Sequence, residues 1–356
     1  MKILYVITGL GLGGAERVVA DLAEKMHTLG HTVKIAYLTG DVAVTPASAE
    51  IEVIALNLNS VSEFLSASNK YRKLIGRFRP DVVHAHMVHA NIFTRLNRIG
   101  CRVPKLICTA HNSNEGGRAR MFAYRITNTL SDANTNVSNE ATEALIAKGA
   151  FSKNNLITVY NGIDLSKFAK RSEDSTLEKD TVNLIAVGRF SDQKDYPNLI
   201  HAFALLKKEI DQSVKLTIVG DGELRPQIEA LIQELDLTDN IVLLGRRSDV
   251  PELLSQADIF VLASKYEGFG LVVAEAMACE CYVVATDSGG VAEVMGDTGK
   301  LVPPQNSRAL AQALNDVIAL EKSAIVRNNN QAEARVKARF SLEASVDKWL
   351  KIYEKK

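Results

Sequence analysis

Short apolar runs and helix-patterned stretches alternate along this chain almost from end to end, and that alternation limits the folds open to it. Runs of strand character fall near 2–8, 33–38, 52–56, 81–86, 106–110, 133–137 and 156–160. A second series falls near 182–188, 215–220, 241–244, 258–262, 282–285 and 299–302. Helical periodicity fills intervening stretches such as 15–29, 62–78, 138–148, 196–210, 223–235, 270–279 and 306–320. Strand, helix, strand is the repeating unit of a parallel sheet covered by helices. At 356 residues the chain exceeds one ordinary core. The stretch 164–181 is charged and weakly periodic, so the domain boundary is expected there. The expected class is α/β, with two doubly wound domains that bind ligands at the carboxyl ends of their strands and face each other across a cleft.

Composition removes several alternatives. Apolar residues make up 46% of the chain and charged residues 24%, as in a soluble globular protein. The opening Met1–Thr8 run lacks a small-residue cleavage site and enters a glycine turn, so it reads as a first strand rather than a signal peptide. No stretch approaches the roughly 18 apolar residues of a membrane span. Cys101, Cys108, Cys279 and Cys281 show no paired metal spacing and are expected to be reduced thiols in a cytoplasmic protein. Net charge is zero, but residues 1–165 carry 18 basic against 13 acidic side chains. Within 70–125 the count is 12 against 2. Such a stretch is either a solvated face or a contact for an anionic partner, membrane headgroups or a phosphorylated acceptor. No nucleic-acid motif accompanies it, so nucleic acid is not an expected partner.

The most specific local pattern is Glu267-Gly-Phe-Gly-Leu-Val-Val-Ala-Glu275, two carboxylates eight residues apart. A Gly268-Phe269-Gly270 turn leads into a helical run from Leu271. A glycine turn opening a helix presents free amides and the positive end of the helix dipole, which is a seat for phosphate. Two acceptor-only carboxylates beside it suit a ligand carrying both phosphate and hydroxyl groups, such as a sugar nucleotide. Glycine-opened helices are also ordinary in α/β proteins, and the segment alone leaves both readings open.

Other candidates fall after strands of the same half. Arg189 and Lys194 follow the strand near 182–188 and could grip a diphosphate, one bidentately and one as a point charge. Val219-Gly220-Asp221-Gly222 follows the next strand. Gly245-Arg246-Arg247 follows another, where Arg247 could frame a nucleobase or be a surface charge. In the first half, Gly9, Gly11 and Gly14 match the dinucleotide fingerprint G-x-G-x-x-G, but the second strand ends without its ribose-binding acid. The loop is better read as one that lets backbone approach a bound ligand. His84, His86, His89 and His111 sit at or after strand ends. His84 and His86 should share one strand face, yet no third ligand is evident and no Asp-x-Asp pair occurs, so no metal is expected. No nucleophile elbow, P-loop or kinase motif set is present.

Taken together, these residues resemble the retaining glycosyltransferases of family 4, which have the GT-B fold. The resemblance spans essentially the whole chain. It rests on Gly13-Gly14-Ala15-Glu16, on Asn161-Gly162-Ile163-Asp164, on Gly188-Arg189 with Lys194, and on the E-x7-E segment from Glu267 to Glu275. It implies two Rossmann-like domains: 1–165 for the acceptor and 180–339 for the donor, with a final helix near 340–356 crossing back onto the first. It implies that Arg189 and Lys194 bind the donor diphosphate, that Glu267 contacts the donor sugar, and that Glu275 binds the ribose. Backbone at Gly268, Phe269, Gly270 and Leu271 would meet sugar and phosphate. Gly13 and Gly14 would approach the diphosphate, Gly220 and Arg247 would complete the donor site, and His111 would point at the donor sugar. Asp195 departs from the family, which often has glycine after the lysine. The implied reaction is hexosyl or N-acetylhexosaminyl transfer from a nucleotide sugar, UDP-linked, without a cofactor or metal. The implied acceptor is a lipid-diphosphate-linked saccharide in bacterial surface-polysaccharide assembly, with peripheral attachment to the inner membrane face as a further expectation. A sugar-nucleotide epimerase, a phosphorylase, a dehydrogenase and a non-catalytic sugar-nucleotide binder stay open at this stage.

Overall fold

The computed structural model describes residues 1–113, 115–169 and 181–355. Contacts divide the chain into two units. One comprises Met1–Gly162 with Leu342–Lys356, and the other Ile163–Ser341. The expected boundary at 164–181 falls largely outside the described residues. The units part just before it, between Gly162 and Ile163.

The first unit is built on seven strands: β1 (Lys2–Ile7), β2 (Thr32–Tyr37), β3 (Glu52–Ala55), β4 (Val82–His86), β5 (Lys105–Ala110), β6 (Ala133–Asn136) and β7 (Ile157–Thr158). They form one sheet in the order β3-β2-β1-β4-β5-β6-β7, every pair parallel. Ile3 to Ile7 are all fully buried. A parallel strand covered on both faces is apolar along most of its length, which is why β1 reads as a continuous run rather than an alternating one. The order reverses between β1 and β4, and the carboxyl ends there are where a doubly wound sheet receives ligands.

The helix Leu342–Glu354 belongs to this unit although 179 residues, 163–341, intervene. Trp349 and Tyr353 are both 4% exposed and join the core that contains Tyr5 and Ile7. The Tyr353 hydroxyl lies 2.7 Å from His84 Nδ1 and 3.2 Å from the Tyr5 hydroxyl. The helix is therefore fastened by buried polar bonds as well as by apolar area.

The second unit has six strands: β8 (Thr181–Val187), β9 (Ser213–Val219), β10 (Ile241–Gly245), β11 (Ile259–Leu262), β12 (Tyr282–Thr286) and β13 (Lys300–Val302). Their order is β10-β9-β8-β11-β12-β13, again all parallel, with the reversal between β8 and β11. The two sheets thus repeat one topology. No helix among the described residues is long and apolar enough to cross a membrane.

The basic stretch 70–125 is not one face. Arg95 is fully buried, its guanidinium donating to Asn134 Oδ1 at 2.5 Å and lying 5.1 Å from the centroid of the Tyr124 ring. Arg98 pairs with Asp132 at 2.7 Å, and Lys105 donates to the carbonyls of Tyr353 and Lys355. The cations left exposed fall on two helices, Phe64–Phe78 and Arg118–Thr127, and at Arg79 and Arg102.

Candidate functional site

The carboxyl ends of β8 and β11 bring Lys194 and Glu267 together. Lys194 Nζ lies 2.6 Å from Glu267 Oε1, and Ser264 Oγ donates to the same oxygen at 2.7 Å. Lys194 closes a short turn, Asp192–Lys194, that begins four residues past Gly188. A Cβ on Gly188 would lie 3.2 Å from Lys194 Cε, so the lysine chain runs directly over that backbone. The loops are tied to each other: Lys265 N–H donates to the Gln193 carbonyl at 2.8 Å, and Gln193 Nε2 to the Tyr266 carbonyl at 2.9 Å. Glu267 is 7% exposed. A charged pair held this far from bulk water is screened less than a surface pair.

Asp195 follows Lys194 with φ +48° and ψ +47°. The turn after the lysine therefore needs the left-handed conformation that glycine adopts freely and aspartate tolerates better than most residues. Aspartate can therefore occupy this turn without a glycine. Burial raises the Asp195 carboxyl above its ordinary range.

The helix Leu271–Ala278 starts from Gly270, whose φ is +83°. Its first amides have no acceptor within the helix. Glu275, one turn in, is 9% exposed. The Phe269 ring is buried and meets Phe340 edge-on at 5.4 Å, so only its backbone is offered to a ligand. The loop after β12 crosses tightly behind Glu267: a Cβ on Gly289, whose φ is +58°, would stand 1.8 Å from the Glu267 carbonyl oxygen. That crossing pins the Glu267 backbone.

The remaining second-unit candidates stand at neighbouring strand ends, each already engaged. Arg189 pairs with Glu223 at 3.1 Å, and both are exposed. Arg247 grips Asp249 through two bonds, at 2.8 and 2.5 Å. Gly220 gives its amide to the Gly245 carbonyl at 2.9 Å. A Cβ there would lie 1.9 Å from the Gly188 carbonyl, so this glycine serves the close approach of two loops rather than offering a donor.

In the first unit, Gly13 is the extended residue preceding the helix Gly14–Thr28. Gly11 has open space where a side chain would stand, while a Cβ on Gly13 would meet the Glu16 carboxylate at 2.4 Å. His111 lies just past β5. Its Nε2 is 2.9 Å from His86 Nδ1, and its backbone N–H donates to Glu115 Oε1 at 2.9 Å. Glu115 also receives the Tyr124 hydroxyl at 3.2 Å. Glu115 and His86 escaped the sequence reading as anchors of His111. A carboxylate four residues past a strand-end histidine was the available signal.

Burial lowers His111 to a pKa of about 4 and holds His84 and His86 well below the ordinary histidine range. All three are therefore neutral near pH 7. His84 and His86 do share a strand face, their rings 4.0 Å apart, but His84 is spent on Tyr353 and Thr109. No group of three His, Cys, Asp or Glu side chains placed to hold a metal occurs among the described residues.

Two family models match, meeting at residue 167. That for glycosyl transferases group 1 covers 167–335, and that for glycosyltransferase family 4 covers 12–167. The chain is 28% identical over 95% of both sequences to a Campylobacter jejuni protein. That protein is the N-acetylgalactosamine-N,N'-diacetylbacillosaminyl-diphospho-undecaprenol 4-alpha-N-acetylgalactosaminyltransferase. It is 27% identical to the N-acetyl-alpha-D-glucosaminyl L-malate synthase of Bacillus anthracis, over 96% of this chain and 94% of that one. Among solved structures, the Anabaena protein HepE in complex with UDP-glucose superposes with a TM-score of 0.84 over 99% of both chains, at 22% identity. The likeness to HepE is one of fold.

Proposed function

We propose, for a chain that belongs to the family 4 glycosyltransferases of GT-B fold, that it moves a hexose or N-acetylhexosamine from a UDP-sugar to a lipid-diphosphate-linked saccharide, with retention at the anomeric carbon. The observation that carries the donor half is the Lys194–Glu267 pair beside the Gly270-opened helix. A cation, a carboxylate and a helix N-terminus within one set of tied loops match the charge and hydroxyl pattern of a sugar nucleotide.

In this reading the bond from the anomeric carbon to the diphosphate breaks, and negative charge grows on the departing oxygen. Lys194 and the amides of Gly270 and Leu271 are in place before that charge appears, which favours the transition state over the ground state. Arg189 and Arg247 exchange their present carboxylate partners for the ligand. Glu267 and Glu275 accept from sugar and ribose hydroxyls, with backbone at Gly268 and Phe269 alongside. Gly13 and Gly14 let backbone approach the donor, and His111 meets the sugar. The acceptor oxygen attacks on the face the diphosphate leaves, and its proton passes to the diphosphate. No metal takes part.

The base and acceptor are inferred from relatives. HepE was solved with UDP-glucose, and the Campylobacter relative is named for a diphospho-undecaprenol-linked substrate. Exposed Arg118, Arg120 and Arg125 share one helix with exposed Phe122 and Ile126, which supports contact with an anionic membrane face.

The test is a thermal-shift screen of uridine, guanosine and adenosine diphosphate sugars, followed by NMR of the anomeric configuration of the product. Stabilisation by UDP-sugars and a retained configuration are expected. Selective response to another base, or an inverted product, overturns the corresponding part. Co-sedimentation with vesicles containing anionic lipid at low salt tests the membrane contact, and absence of binding removes it.

A further inference from the structure

The contact between His86 and His111 decides which nitrogen of His111 carries a proton. Neutral imidazole has one N–H and one bare nitrogen. His86 Nδ1 and His111 Nε2 lie 2.9 Å apart, so one of them donates to the other. If His111 donates from Nε2, His86 must hold its own proton on Nε2. That atom is buried and has no partner, and His86 as a whole is 1% exposed. A buried N–H with no acceptor and a buried bare nitrogen with no donor both cost stability, but orphaned buried donors are the rarer of the two in folded proteins. If His86 donates from Nδ1, its Nε2 is a bare nitrogen and no donor is stranded. His111 then accepts at Nε2 and carries its proton on Nδ1.

The surroundings hold His111 in that pose. Its backbone N–H is fixed to the Glu115 carboxylate, which is itself braced by the Tyr124 hydroxyl. His86 is held against the His84 ring, and His84 is bonded at both nitrogens, to Tyr353 and to Thr109. His111 is only partly buried, and none of the described residues bonds its Nδ1.

We propose that His86 is a positioning residue: it donates Nδ1–H to Nε2 of His111 and so makes His111 present an N–H donor at Nδ1. The group met there is an oxygen acceptor, a hydroxyl or phosphoryl oxygen of the nucleotide sugar. The tautomer follows from the protein alone. Only its use on a sugar nucleotide rests on the proposed function.

Long-range proton–nitrogen correlation spectra of the whole chain, labelled with 15N-histidine, read the tautomer directly. The His111 signals are identified by their loss in His111→Ala. At pH 7.5 the proton of His111 is expected on Nδ1. His86→Ala should remove that bias and lower kcat about tenfold with little change in KM, as expected when both tautomers bind the donor and only one stabilises the transition state. His86→Asn places a side-chain N–H near the position of Nδ1–H and should restore both the tautomer and most of kcat. A wild-type spectrum with the proton on Nε2 overturns the inference, whether or not the variants fold. So does a His86→Ala spectrum with His111 unchanged. If the tautomer is as expected but His111→Ala turns over like wild type, the role of His86 stands and the placing of His111 at the donor falls.

Discussion

Lys194 Nζ and Glu267 Oε1 share a 2.6 Å bond, so the cation proposed to meet the diphosphate and the carboxylate proposed to meet the sugar hold each other in position. Removing either partner leaves the other in a poorly hydrated place. Lys194→Ala should cost about 2 kcal/mol of stability, less than for a wholly buried pair because the lysine is partly exposed. It should also cut turnover by roughly 10²–10³, the scale for one lost stabilising donor. Adding Glu267→Gln to Lys194→Ala should return much of the stability and none of the turnover. Denaturant midpoints and turnover of the two single variants and the double variant check this. A double variant as unstable as the sum of the singles would refute the coupling.

Two glycines are expected to be irreplaceable for steric reasons. A Cβ at Gly220 would stand 1.9 Å from the Gly188 carbonyl, and one at Gly289 would stand 1.8 Å from that of Glu267, both at positive φ. Backbone must move in either case. Gly220→Ala and Gly289→Ala should each lose on the order of 2 kcal/mol or more. Gly11→Ala, with open space around it, should unfold within a degree or two of wild type. Thermal melts of the three variants separate these outcomes.

The left-handed turn at Asp195 predicts an unusual tolerance. Asp195→Gly relieves the backbone and removes a carboxylate that burial disfavours, so it should unfold no earlier than wild type at pH 7.5. Asp195→Val, β-branched at the same φ, should lower the melting temperature by several degrees. A valine variant as stable as wild type would mean that this turn is not left-handed in solution.

Acid should loosen the first unit well above the range in which carboxylates titrate. His84, His86 and His111 are all held below the ordinary histidine value by burial, His111 at about 4. The unfolded chain takes up protons near pH 6.5, while the folded chain keeps these rings neutral. Their contribution is therefore complete above about pH 6.5 and is lost as pH falls toward 4. The slope is up to about 1.4 kcal/mol per pH unit for each histidine. Glu115, raised by burial, gives a slope of the opposite sign, one acid against three bases. Urea midpoints at pH 7.5, 6.0 and 5.0 should fall steadily, and equal midpoints would contradict the buried neutral histidines.

Activity should survive EDTA. In the proposed reaction the cation side chains and the helix N-terminus carry the charge that a divalent ion would otherwise neutralise. Turnover within about twofold of the untreated enzyme is expected, and abolition with rescue by magnesium or manganese would replace that account.

The sheets were legible because the central strands are largely buried on both faces, β1 from Ile3 onward and β11 and β12 throughout, and so leave near-continuous apolar runs. Each of the thirteen lies within about two residues of its expected place. The donor candidates were legible from spacing, since Lys194 and Glu267 both follow strands of one half. Their bond was not, because 73 residues separate them and only the β8–β11 adjacency brings them together. Burial of charge was the weakest point of the sequence reading. Arg95 looks like its basic neighbours until the fold wraps it in Tyr124, Phe151 and Asn134. Likewise, nothing local marks His86 as the partner of His111 rather than of His84, because that choice depends on how β4 and β5 pair.

The fastening of Tyr353 to His84 and Tyr5 also bears on the order of synthesis. The first 162 residues emerge from the ribosome without the helix that completes their core, and the whole of 163–341 must follow before that helix is made. At about 5–20 residues per second this is a wait of roughly ten to forty seconds, during which β1 and β4 lack their last cover. A chain that ends before Leu342 should therefore be a better chaperone client than one released with Leu342–Glu354 in place, even though its first sheet is already complete in sequence.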